Sequence, residues 1–405
     1  MLIGYYIYMK TLKKVITDYH IALSNNLILS PEDKSRLIEL DKRYGKLYKE
    51  FWFKWDRTDT KNIESEFKKF IDARGRGEKY YPQLEMVRDD LDEGWLGAAR
   101  DLRGEFEGFR CFLSRYYIEN IDYMYDQVDM TVHKGDPIRL ATYNNTMYRR
   151  VSKDDLDYAW SLIADHPYED KREEQPYRGK DVLPMMQEWM NKRGYGFEIK
   201  LNPYMIARQN VEPHNKTLHI KTDAQFSKLD VESLRIHEID VHVARRYWGY
   251  KTGLNLFADG LLYRNTLDEG MAINQSLHHN KYGVKPNLEF DIAIKAIIGY
   301  YILQLDFCQI YDMLIDKVRT EQNKDIIEFI VFKNICRFKR TLQDCRLLGG
   351  DSHGETDYML GYRLVHPMPQ DLKEDIVRWN IGPGQLPDLP LIKLFFECNK
   401  FDPLI

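Results

Sequence analysis

The chain has little cysteine for its size. Five cysteines stand among 405 residues: Cys111, Cys308, Cys336, Cys345 and Cys398. None forms a C-x-x-C pair, and their number is odd. A reduced compartment with inert, buried thiols follows from that usage. Long apolar runs are also missing. Nothing approaches the ~18 uninterrupted apolar residues that a membrane helix needs. The stretch Met1–Lys10 is apolar but short. No basic residue precedes its apolar run, and no small-residue cleavage site follows closely, so it does not read as an export signal. The cytoplasm is the expected location. Charge of one sign is absent too. The formal net charge is −4, which leaves no basic field for nucleic acid and no strong acidic tail. Neither an internal repeat nor a low-complexity tract is present. Aromatic residues, by contrast, are plentiful at 13 %. With this length they indicate a packed globular protein with a large core.

The periodicity predicts an α+β fold that is mostly helical. Residues 1–170 read as a mainly helical region, and 171–405 as a catalytic domain. Ser30-Pro31-Glu32-Asp33 is a helix start with proline at the first helical position. Tyr44, Leu47, Tyr48, Phe51 and Trp52 recur at helical spacing among basic residues, the pattern of a core stripe with solvated charges. Gly75-Arg76-Gly77 breaks the next helix. The acidic run from Asp89 to Glu93 lacks the glycine and ligand rhythm of a calcium loop and reads as a helix edge. Short strands are expected within residues 130–153. The charged tract from His166 to Gly179, with Pro167 and Pro176, reads as a linker. A helix follows over Asp181 to Lys192. Three strand-like runs come next: Gly196–Leu201, Tyr204–Arg208 and Thr217–Thr222. The last is expected to be an edge strand above the following helix, holding extended peptide by β-augmentation. His219 on it is a candidate site residue. Long supporting helices are expected over Asp291–Arg319 and Lys324–Leu348, and a short one over Leu391–Cys398.

The chemistry concentrates after these strands. Leu234 to Arg245 places His237, Glu238 and His242 in a segment that is apolar on more than one side. Asp230 offers an N-cap before it, and Gly249 a left-handed stop after it. Charged and ligating groups in such a helix are costly unless paired or bound. The histidines are five apart. On a regular helix five residues advance about 500°, which leaves the rings about 140° apart. Either a widened, π-type turn near Ile239-Asp240-Val241 restores a common face, or the two share no metal. Thr266-Leu267-Asp268-Glu269-Gly270-Met271-Ala272 lies downstream. Thr266 and Glu269 have the spacing of a capping box. Equally, two histidines on one helix with a glutamate on the next form the ligand set of a catalytic zinc site.

His237-Glu238-Ile239-x-x-His242 with Arg245, then Phe257-Ala258-Asp259-Gly260-Leu261 and Thr266-x-x-Glu269-Gly270-x-Ala272, resembles the microtubule-associated tyrosine carboxypeptidase family. The resemblance implies a gluzincin-like catalytic domain, with a small antiparallel sheet over the H-E-x-x-x-H helix. It implies zinc (Zn2+) on His237, His242 and Glu269, and a base at Glu238. A weaker likeness runs from Arg346-Leu-Leu-Gly349-Gly350 to Tyr358-Met-Leu-Gly361. There the family's Lys-Asp pair is replaced by Gly354-Glu355. Asp268 replaces the usual glutamine, and Asp240 stands where a small residue is common.

The expected function is a zinc metallopeptidase that removes a C-terminal residue, tyrosine or another aromatic by family resemblance, from a peptide or protein. Glu238 would take the proton from water and pass it to the leaving amine. Tyr358 is the first choice to face the oxyanion, before His353 and His366. Arginine suits the substrate's free carboxylate, and Arg245, Arg264 and Arg346 are candidates. Arg245 has a second reading as a brace for a ligand. Asp240 has two readings as well, orienting an imidazole or competing as a ligand. The alternative from another class is a non-catalytic protein that holds a partner's tail on a peptidase scaffold. A di-iron helical site would need two E-x-x-H motifs, and no such pair lies near.

Overall fold

The computed structural model describes residues 27–55, 62–85, 93–132, 150–169, 174–203, 208–212, 215–262, 264–278, 287–339, 344–350 and 354–404. Among these no helix is long and apolar enough to cross a membrane. The chain is α+β and mostly helical.

The first helices are α1 (Pro31–Trp55), α2 (Ile63–Gly75), α3 (Glu93–Gly108), α4 (Ser114–Val132) and α5 (Lys153–Asp165). The start of α1 is set by Ser30, whose Oγ accepts the Asp33 N–H at 3.1 Å, with Pro31 first in the helix. Tyr44, Leu47, Tyr48 and Phe51 are buried as the stripe predicts. Thr131 and Val132 finish α4 instead of opening a strand. The rest of the expected strand region up to residue 149, the acidic run at 89–92 and the Trp52 side chain lie outside the described residues.

The sheets follow: β1 (Tyr177–Arg178), helix α6 (Gly179–Arg193), β2 (Glu198–Asn202), β3 (Gln209–Glu212), β4 (Thr217–Lys221) and β5 (Gln225–Phe226). Strands β1 and β5 form an antiparallel pair. The other three lie in the order β2-β4-β3, with β2 parallel and β3 antiparallel to β4. This corrects two expectations. The larger sheet is mixed, and Thr217–Lys221 is its central strand, so both its edges are already paired. Residues 204–207 lie outside the described part, and the strand expected there begins at Gln209.

Next come α7 (Lys228–Leu234), a π-helical segment (Arg235–Val243), α8 (Ala244–Lys251), α9 (Asn255–Asp259) and α10 (Arg264–His278). The C-terminal part holds α11 (Leu288–Tyr301), α12 (Phe307–Val318), α13 (Lys324–Lys339), α14 (Asp357–Val365), α15 (Gln370–Trp379), a 3-10 turn (Pro383–Asp388) and α16 (Leu389–Cys398). The single helix expected over Asp291–Arg319 is two. Asp306 ends the break between them with a capping box to Gln309, a stop-and-restart signal that the apolar stripe masks. Helix α13 closes at Lys339, short of Leu348.

Three hydrophobic clusters form the interior, and two of them reach the π segment. One joins α1, α3 and α4 to Val241, Leu256, Leu267 and Phe395. A second joins Phe70 and α5 to α11, α12, α13 and Met359. The third packs α6 and the sheet on Ile239 and Val243. The first two draw on both sides of residue 170. Neighbouring residues of the π segment therefore enter different clusters, as a central helix must.

Candidate metal centre

Ser227 opens the run into the site. Its hydroxyl accepts the Asp230 N–H, and the Asp230 carboxylate accepts the Ser227 N–H. Asp230 is thus the third residue of a capping box, not the N-cap. Helix α7 passes into the π segment without a break. There the wider i→i+5 ladder lifts His242 back over His237. The ring centroids are 4.8 Å apart with planes at 70°. The widened turn is present, and it spans the whole motif. Gly249 does not end the run; α8 continues to Lys251 and Gly253 takes the left-handed conformation at φ 83°. Gly249 serves a close approach, since a Cβ there would lie 2.1 Å from the Phe257 carbonyl oxygen.

Glu269 reaches the same point from α10. Its Oε2 lies 3.4 Å from His237 Nε2 and 3.8 Å from His242 Nε2. One ligand atom from each of the three residues falls within 4.8 Å of the others. Tetrahedral zinc with bonds near 2.0–2.1 Å separates its ligand atoms by about 3.3 Å. Glu269 Oε2 is buried and has no hydrogen-bond partner among the described residues, a costly state that a cation would relieve. The donor set of two imidazoles and a carboxylate fits zinc. Thr266, which might have capped with Glu269, instead lies inside α10 and donates to Asp357 Oδ1 at 2.6 Å.

Two glycines explain why α10 delivers Glu269 beside α14. A Cβ on Gly270 would lie 2.3 Å from the Gly361 carbonyl carbon, and one on Gly361 only 1.9 Å from the Thr266 carbonyl oxygen. The two helices cross with their backbones touching. Glu269 and Tyr358 are carried to one side of that crossing. The Tyr358 phenol is pushed well above its ordinary value, first by the Glu269 charge, then by burial, with further contributions from Glu355 and Glu238. It therefore keeps its proton. Glu238 is itself buried.

Asp268 supplies the outer layer. Its Oδ1 lies 3.4 Å from His242 Nδ1 and 2.7 Å from Arg245 Nε. That contact leaves His242 Nε2 as the nitrogen turned toward Glu269. Burial alone would lower the His242 ring, but Asp268, Glu269 and Glu238 raise it to about 9. Burial alone would raise the Asp268 carboxyl, yet Arg245, His242 and Arg246 hold it well below the usual range. The same field that holds a proton on His242 favours a metal cation.

The remaining candidates separate cleanly. Arg245 is 0 % exposed and donates to the Ile381 carbonyl oxygen at 2.9 Å, so it braces Asp268 and does not line an open groove. Arg264 is buried against Tyr48. Arg346 is exposed and forked onto Asp344. His219 pairs with Glu212 of β3 at 2.7 Å. Asp240 turns to Arg193 and Arg235 and orients neither imidazole. His366 stacks on His278, and His353 lies outside the described residues. Asp268 was visible in the sequence only as a departure from a pattern. The cations on α11 and α13 that border Tyr358 carried no local signal at all.

A family model described as microtubule-associated tyrosine carboxypeptidase matches residues 98–324. The match covers more than half of the chain and includes His237, Glu238, His242 and Glu269. No curated protein matches the chain. On the strength of that match the chain belongs to the microtubule-associated tyrosine carboxypeptidase family.

Proposed function

We propose that the protein is a zinc-dependent carboxypeptidase that removes the last residue of a peptide or protein, tyrosine or another aromatic. One observation carries the reading: ligand atoms of His237, His242 and Glu269 converge within 4.8 Å on a π-helical turn. A zinc ion held there supplies a Lewis acid for the scissile carbonyl and an acidified water. Glu238, next to a ligand, receives the water proton on its carboxylate and returns it to the leaving amine. Tyr358 donates its phenolic hydrogen to the developing oxyanion. Asp268, fixed by Arg245, holds the His242 ring in register. Among the described residues β3 is paired on one side only and lies against the π segment. Its open edge replaces β4 as the candidate for backbone pairing with substrate.

Metal analysis of the purified protein tests the site. Near-stoichiometric zinc is expected in the wild type and loss of it in His237→Ala; equal metal in both removes the reading. Glu238→Gln should keep the metal while turnover of a tyrosine-ended peptide falls about 10²–10⁴-fold. A protein that only holds tails would bind the peptide equally well before and after that change and would cleave it in neither form.

A further inference from the structure

A carboxypeptidase must recognise the free end of its substrate. The terminal carboxylate lies about one residue, roughly 3.5 Å of extended chain, beyond the scissile bond. The cation that reads it must stand that far from the metal ligands and be open to the cleft. The arginines singled out by the sequence fail one condition or the other. Arg245 and Arg264 are sealed in the interior, and Arg346 is spent on Asp344 at the surface.

A different group borders Tyr358. Lys295 of α11 lies with its Nζ 3.9 Å from the centroid of the Tyr358 ring. Its ammonium is 3.0 Å from Glu355 Oε2. Arg337 of α13 pairs with the other oxygen of the same carboxylate. One helical turn before Arg337 stands the exposed Lys333. Lys295 and Lys333 interact with Glu355 and Asp291, and Arg337 with Glu355. The charge of Arg337 is also felt at Tyr358 and Glu269. Its side chain is 36 % exposed while Glu355 is 3 % exposed. The guanidinium is therefore anchored on a buried carboxylate while part of the side chain reaches solvent, and its planar fork suits a two-oxygen anion.

We propose that Arg337, supported by Lys295 and Lys333, is the receptor for the free α-carboxylate of the substrate's last residue. The proposal rests on the carboxypeptidase reading and adds the group that makes it an exopeptidase. Glu355 is a positioning residue in this scheme: it holds Arg337 and Lys295 together one turn before Tyr358. Tyr358 and Arg337 then flank the last peptide bond, one at its carbonyl and one at the chain end.

Binding to the zinc-loaded Glu238→Gln protein tests this without turnover. The probe is a peptide ending in tyrosine, prepared as the free acid and as the C-terminal amide, with affinity read by calorimetry. The acid should bind about 10- to 100-fold more tightly than the amide. Adding Arg337→Gln should remove most of that preference with zinc content unchanged, and Lys333→Gln should reduce it less. Should Arg337→Gln fail to fold, Arg337→Lys takes its place. It keeps the charge, loses the fork, and should retain only part of the preference. Equal binding of acid and amide, no binding of either, or a preference untouched by the Arg337 change would overturn the proposal. If the zinc-loaded wild type cleaves neither peptide while the Glu238→Gln protein still prefers the acid, the peptidase reading fails and the receptor stands.

Discussion

Asp268 ties three parts of the site together within one helical turn. It touches His242, neutralises the fully buried Arg245 and lies 3.9 Å from Arg264 Nε. Asp268→Asn keeps the shape but removes the charge opposite a buried guanidinium. Such a broken pair costs about 3–5 kcal/mol, and the loosened imidazole should lower zinc affinity about 10–100-fold. Denaturant unfolding and competition with a chelator measure the two effects. Asp357 gives a pH signature. Burial raises its carboxyl to about 7, the Thr266 hydrogen bond opposes the rise, and Glu269 and Glu355 add to it. Between its ordinary value of 3.8 and about 7 the folded protein keeps a proton that the unfolded chain has shed. That contribution to stability is full at lower pH and is lost as pH rises through about 7. Asp357→Asn should thus gain stability relative to wild type on going from acid to mildly alkaline pH, read as diverging melting temperatures of the metal-free proteins. At this scale the grouping of His237, His242 and Glu269 was legible, because the histidine pair was read together with the downstream glutamate and the family resemblance. The pairing of Asp268 with Arg245 was not. It depends on how α8 and α10 pack, which no local spacing encodes.

Two elements set the geometry of the centre. The π segment solves the spacing problem that a five-residue interval poses, and the motif alone offered it as one of two alternatives. The crossing of α10 and α14 was half readable. Glu269-Gly270 and Tyr358-x-x-Gly361 stood out as patterns, but their meaning is steric: each glycine makes room for the other helix's backbone. Gly361→Ala should push the helices apart and cost about 1–3 kcal/mol or more. It should lower turnover more than zinc content, because Tyr358 moves relative to ligands held mostly by the π segment. Melting temperature, metal content and turnover rate, measured together, check this. The strand order was misjudged for a plain reason. Alternation reports which face of a strand is covered, not how many neighbours it has, so a central strand of a small sheet reads like an edge.

Across the whole molecule the early helices are part of the same structure as the centre. Asp41 of α1 accepts the Asn255 and Leu256 N–H groups at 2.8 and 3.1 Å and the Tyr117 hydroxyl at 2.7 Å. It caps α9 from more than two hundred residues away. Asp41→Ala would strand three buried donors and should destabilise by about 3 kcal/mol or more. Because two of the three clusters span residue 170, unfolding followed by aromatic fluorescence and by zinc release should coincide in one transition. Two separate steps would show that the early helices fold apart from the centre. Solvation and turn residues dominate the composition of the charged tract at 166–179. The partners of the helices on either side cannot be read from it. This arrangement has a consequence for synthesis. The Leu29 N–H donates to Asn399 Oδ1, 370 positions later. At about 5–20 residues per second a ribosome needs on the order of tens of seconds to deliver that partner. For that interval the nascent α1 can pack on α3 and α4 but lacks the late partners of its first cluster, such as Phe395, so that side is a natural target for chaperones that bind emerging chains.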